Sequence, residues 1–161
     1  MHAMLGVVAA MSVWAGHAPD PELKLVLQMD QTAFASDDAV KVRVFIENVS
    51  HLDVVLNSRM LVNRTVGPHE LFFLVTGPDA KAVPFQARIR DSFESQDFIM
   101  LHNQQVFGRL YDLGRAHFFE QKGEYSVAAF YENQQDAPAE LKLPAAWKGR
   151  LKSNTLTFTI R

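Results

Sequence analysis

From Leu23 onward the chain alternates apolar and polar residues at period two, the repeat of a strand that buries one face. In LKLVLQM the residues Leu23, Leu25, Leu27 and Met29 share a face. In AVKVRVFIE the residues Val40, Val42, Val44 and Ile46 do the same, and Lys41, Arg43 and Glu47 fall on the other face. Similar runs are VVLN at Val54, ELFFLVT over Glu70 to Thr76, VPFQARIR over Val83 to Arg90, DFIML over Asp97 to Leu101, AHFFE around Phe118, YSVAAFYE over Tyr125 to Glu132, and the closing NTLTFTIR. Between them stand Ser36-Asp37-Asp38, Asn48-Val49-Ser50, Thr76-Gly77-Pro78-Asp79 and Lys122-Gly123, all of them turn chemistry. No stretch carries a convincing amphipathic helical repeat. Seven to nine short strands at this spacing predict an all-β fold, an antiparallel sandwich of two sheets.

The stretch KGEYSVAAFYEN sharpens this expectation. In immunoglobulin-like sandwiches a tyrosine near the start of a late strand turns its hydroxyl back onto the backbone upstream and pins the corner between sheets. Tyr125 stands where such a residue belongs, and Gly123 supplies the backbone freedom that the corner needs. Both are therefore expected to be structural. No base or cofactor motif accompanies Tyr125 to suggest catalysis.

Four stretches together resemble a known family: AVKVRVFIENVS, then DFIML leading to RLYDL, then GEYSVAAFYEN, and finally WKGRLKSNTLTFTI. Their order is similar to that of immunoglobulin-like domains in exported bacterial proteins, which stand alone or precede a catalytic domain such as a deuterolysin-type metallopeptidase. The resemblance spans about residues 23 to 161. The family's usual Pro-Gly turn after the DFIML-type strand is replaced here by His102-Asn103-Gln104-Gln105. The resemblance implies an immunoglobulin-like sandwich that acts as a binding or accessory unit without catalysis.

Composition narrows the function classes. With 161 residues, 48% hydrophobic and 21% charged, the chain is long enough for one core that needs neither metal nor cross-links. It has no cysteine, so thiol catalysis, thiolate metal sites and disulfides are excluded. A formal charge of -2 without a basic run argues against nucleic acid. The first eighteen residues carry no Asp, Glu, Lys or Arg. Their apolar run from Ala3 to Val13 is too short to span a bilayer and reads as a signal-peptide core. Cleavage is expected after Ala15, with Ala18 as the alternative, and the sandwich domain over 19–161. Export to the periplasm or medium follows, with no membrane span after signal removal. The lack of disulfides in an exported chain points to a bacterial source.

Candidate chemistry is sparse. The six histidines, His2, His17, His51, His69, His102 and His117, form no HxH, HExxH or DxH pattern. A metal-handling role would require cleavage after Gly16, so that the amine and ring of His17 could chelate copper. No GxSxG or SxxK occurs, and the carboxylate pairs Asp37-Asp38 and Asp91 with Glu94 lie in turn-like stretches. The sequons at Asn48 and Asn63 read as turn or strand-end residues. No catalytic residue, metal site or cofactor is expected. The long connection from Asn133 to Lys152 is the expected binding surface, with Glu140, Lys142, Trp147, Lys148 and Arg150 as its binding residues. A protein or cell-envelope component is the expected partner. An extracellular protease inhibitor is the alternative reading, and a periplasmic metal-handling protein the second.

Overall fold

A computed structural model describes residues 22–62, 70–86 and 98–161. The leader, His2, His17, Asn63, His69, Asp91, Glu94 and residues 87–90 of the strand expected over 83–90 lie outside these described residues.

Ten strands form among the described residues: β1 (Leu23–Gln28), β2 (Ala33–Phe34), β3 (Lys41–Asn48), β4 (Val54–Asn57), β5 (Leu71–Thr76), β6 (Phe98–Leu101), β7 (Val106–Asp112), β8 (Gly123–Asn133), β9 (Gly149–Lys152) and β10 (Leu156–Ile160). One sheet has the order β1-β3-β7, and the second has the order β2-β10-β8-β5 with β9 also on β8. All pairings are antiparallel except the two-residue match of β2 with β10. The protein is thus an all-β, antiparallel-rich sandwich. The alternating residues of β1 and β3 supply one wall of the core: Leu25, Leu27, Val42, Val44 and Ile46 are buried. Leu71, Phe73, Val75, Tyr125, Val127, Tyr131, Phe158 and Ile160 supply the other.

The β3/β7 ribbon continues past its sheet. Asn48 exchanges backbone hydrogen bonds with Gln104 and Gln105, and beyond this point β4 lies antiparallel to β6. The fully buried Asn48 amide donates to Leu52 O at 2.7 Å and to Leu101 O at 2.8 Å, holding the two crossing chains together. In place of a Pro-Gly turn, Gln104 takes a positive φ of 62° and the Gln105 side chain accepts from His102 N at 3.0 Å.

At the opening of β8, Tyr125 Oη donates to Gln121 O at 2.6 Å, four residues upstream. Gly123 has φ 138°, and a Cβ there would meet Pro78, so both conformation and space demand glycine. Beside β8, the edge formed by β9 and β10 is interrupted at Ser153. Ser153 N donates to Ala129 O, and Ser153 Oγ accepts from Ala129 N at 2.8 Å, so the gap leaves neither group of Ala129 unpaired.

The differences from expectation have local causes. Val83–Gln86 and the stretch around Phe118 form no strand, and alternation there yields only the isolated bridge between Phe85 and His117. The 133–152 connection is structured. Its Ala139–Leu141 segment makes a 3-10 turn, Ala146 bridges to Val55, and its last four residues are β9.

Candidate functional site

The expected binding residues are held by the way the 133–152 connection packs. Asn133, buried at the end of β8, donates from Nδ2 to Gln135 O at 2.9 Å and to Trp147 O at 2.7 Å, which closes the base of the loop. Trp147 N donates to Val55 O at 2.8 Å. The Trp147 ring stacks on Tyr131 with centroids 6.0 Å apart and lies over Gly149, where a Cβ would meet its six-membered ring. Trp147 therefore anchors the connection to the core. Beside it, Asp53, Val54, Val55, Ala145, Ala146 and Lys148 complete a shallow hollow of about 360 Å³.

The remaining four residues go separate ways. Lys148 Nζ pairs with Asp136 at 2.6 Å on the surface. Glu140 is exposed in the 3-10 turn, and exposed Lys142 ends that turn with φ 49°. Arg150 turns toward the outer face of the five-stranded sheet, where its guanidinium lies 4.8 Å from the Phe130 centroid and 5.1 Å from that of Phe72. Lys152 reaches the same Phe130 ring at 5.8 Å.

Phe72 and Phe130 are cross-strand partners of β5 and β8, and their rings stack 4.6 Å apart within 5° of parallel. Next along the pair, Leu74 faces Ala128 and remains 48% exposed. These residues complete an aromatic, cationic and aliphatic patch that sequence reasoning missed. The available signal was phase. Phe72 falls between inward Leu71 and Phe73, and Phe130 between inward Ala129 and Tyr131, so both occupy positions that a half-buried sheet normally gives to polar residues.

Two other groupings bring buried polar side chains together. Glu70 is buried and fully engaged: Oε1 accepts from Arg59 Nε at 2.7 Å and from Asn57 Nδ2 at 3.3 Å, and Oε2 accepts from Leu61 N at 2.9 Å. Arg59 Nη2 pairs with the same carboxylate. Tyr131 donates to Asn57 O and Tyr111 to Met60 O, and burial pushes both phenols well above their ordinary range. This network takes Asn57 O, Met60 O and Leu61 N, holds the chain around Met60 at φ 44°, and offers no open nucleophile or base. His117 is buried beside Phe85, with Nδ1 3.2 Å from Val83 O, and desolvation lowers its pKa.

Among the described residues no three His, Asp or Glu side chains gather as metal ligands. The exposed pair of His102 with Asp53, at 2.9 Å, has only two members. Asp38 accepts from Ala35 N at 2.7 Å, as a turn carboxylate does. No described helix is long and apolar enough to cross a membrane. The chain matches no protein-family model and no curated protein.

Proposed function

We propose that this protein is an exported, immunoglobulin-like binding module that recognises a protein or other cell-envelope component without catalysing a reaction. Three features support the immunoglobulin-like reading. The sheet orders β1-β3-β7 and β5-β8-β10 match the A-B-E and C-F-G strands of that fold. The first strand's continuation, β2, switches sheets to lie parallel to the last strand. Tyr125 has the hydrogen bond of a corner tyrosine. Export is supported by the uncharged apolar run from Ala3 to Val13.

The observation that carries the binding reading is the Phe72–Phe130 stack roofed by Arg150 on an outer sheet face, with half-exposed Leu74 alongside. Aromatic and arginine side chains dominate binding hot spots because they offer large, rigid contact area together with a directed charge. The test is retention of one partner from envelope extract by the immobilised chain. Leu74→Glu and Arg150→Glu are expected to abolish that retention, whereas deleting residues 137–143 with Trp147 kept leaves it intact. Retention by both charge variants overturns this face as the site, and loss only in the deletion returns the site to the connection.

A further inference from the structure

Every sheet edge presents unpaired N–H and C=O groups, and proteins blunt such edges to avoid adventitious pairing. Of the end strands β1, β7, β2 and β5 of the two larger sheets, three are blunted. The Asn154 side chain takes the free edge of β1, accepting from Leu27 N at 2.8 Å and donating to Leu27 O at 3.2 Å. The free edge of β5 is met at one end by Leu61 O on Leu71 N and at the other by Val83 N on Val75 O. β2 is only two residues long.

β7 differs. It ends the β1-β3-β7 sheet and is seven residues long, with Val106 54% and Leu110 58% exposed. The bonds of Leu113 N to Val40 O and of Asn48 N to Gln105 O fix which residues face β3. By antiparallel alternation Phe107, Arg109 and Tyr111 pair with β3, and Gly108, Leu110 and Asp112 direct their backbone groups outward. Among the described residues nothing takes the groups of Gly108 and Leu110, whereas Asp112 caps the 3-10 turn of Leu113–Arg115 with its carbonyl. Immediately beside them lies a cleft of about 390 Å³ whose apolar walls include Val62, Phe73, Phe85, Leu110, Leu113 and Ala116. Cations flank the edge: exposed Lys41 at the cleft, exposed Arg109 over the Phe107 ring, and Arg115, whose Nε is 3.7 Å from Asp112.

We infer that β7 is a docking edge for an extended peptide that adds a strand to the three-stranded sheet, with a bulky apolar side chain in the cleft and an acidic side chain against Arg109. Open backbone groups supply affinity without sequence preference, and pockets for alternate side chains supply specificity. Tyr111 borders the cleft and shares its face with Arg109 two residues away, so the peptide's apolar and acidic residues stand two apart. A second copy of the chain fits less well, because symmetric pairing would bring the same cations together, and like charges across an interface are costly. This edge belongs to the opposite sheet from the Phe72–Phe130 face, so the inference stands apart from the function proposed above.

The probe is a fluorescent short peptide of Thr and Val carrying one Glu two residues from one Leu. The expected result is saturable binding that slows amide exchange at Gly108 and Leu110. Binding weakens about tenfold when the peptide's Glu becomes Lys, as loss of one interfacial charge pair requires. Arg109→Glu reverses that preference between the two peptides, and Leu74→Glu leaves binding unchanged. No binding at millimolar peptide, an unchanged preference in Arg109→Glu, or amides of Gly108 and Leu110 already protected in the isolated chain overturns the inference.

Discussion

His117 couples stability to pH. Buried and desolvated, it resists protonation, so its folded pKa lies below the unfolded value of about 6.5. Above that value the ring is neutral in both states and costs nothing. As pH falls below it, the unfolded chain takes the proton first, and stability is lost progressively toward the folded pKa. The urea midpoint is therefore expected to fall as the pH drops below about 6.5, and His117→Gln to flatten that part of the profile. At Tyr125 the relevant quantity is one hydrogen bond. Tyr125→Phe removes the donor to Gln121 O and is expected to cost about 1 kcal/mol. A midpoint unchanged by that substitution would show that the corner does not depend on the hydroxyl.

Elements were legible in the sequence where one face is buried along the whole strand. β1, β3, β5, β8 and β10 each carry an apolar residue at every second position, and burial follows that phase even where Val26, Phe45, Phe72, Leu74 and Phe130 stand in the other. β7 was hidden because an edge strand buries neither face cleanly. Val106 and Leu110 are exposed, and Arg109 stands in the phase that pairs with inward Val44. Conversely, Val83 and Phe85 alternate convincingly, yet they serve as a core contact and a cleft wall rather than as parts of a ladder. Trp147 and Arg150 were legible as binding-type residues. Their division into an anchor and a surface cation was not, because it depends on β5 pairing with β8 so that Phe72 meets Phe130. A Cβ at Gly108 would meet the Phe45 ring and approach Val44 O to 2.9 Å, so Gly108→Val must displace Phe45. The expected loss is about 1–3 kcal/mol, read from the denaturation midpoint.

The whole molecule is held together partly by polar groups that reach between its parts. Glu70 at the start of β5 binds Arg59, Asn57 and Leu61 N, and so fixes the chain that leaves β4. Glu70→Ala breaks a buried ion pair and is expected to cost about 3–5 kcal/mol in chemical denaturation. Asn154 joins the sheets by pairing with Leu27 of β1 from the junction of β9 and β10. Asn154→Ala is expected to accelerate amide exchange at Leu27 without changing the strand-dominated far-ultraviolet spectrum. The stacking of Trp147 on Tyr131 has an optical consequence. The chain has two tryptophans, Trp14 and Trp147, so Trp14→Phe leaves a single indole emitter seated where the 133–152 connection meets the core. Its emission wavelength then reports the docking of that connection, while far-ultraviolet ellipticity reports the sheets. Reddening of the emission at a lower temperature than the loss of ellipticity would time the release of the connection apart from melting of the sandwich.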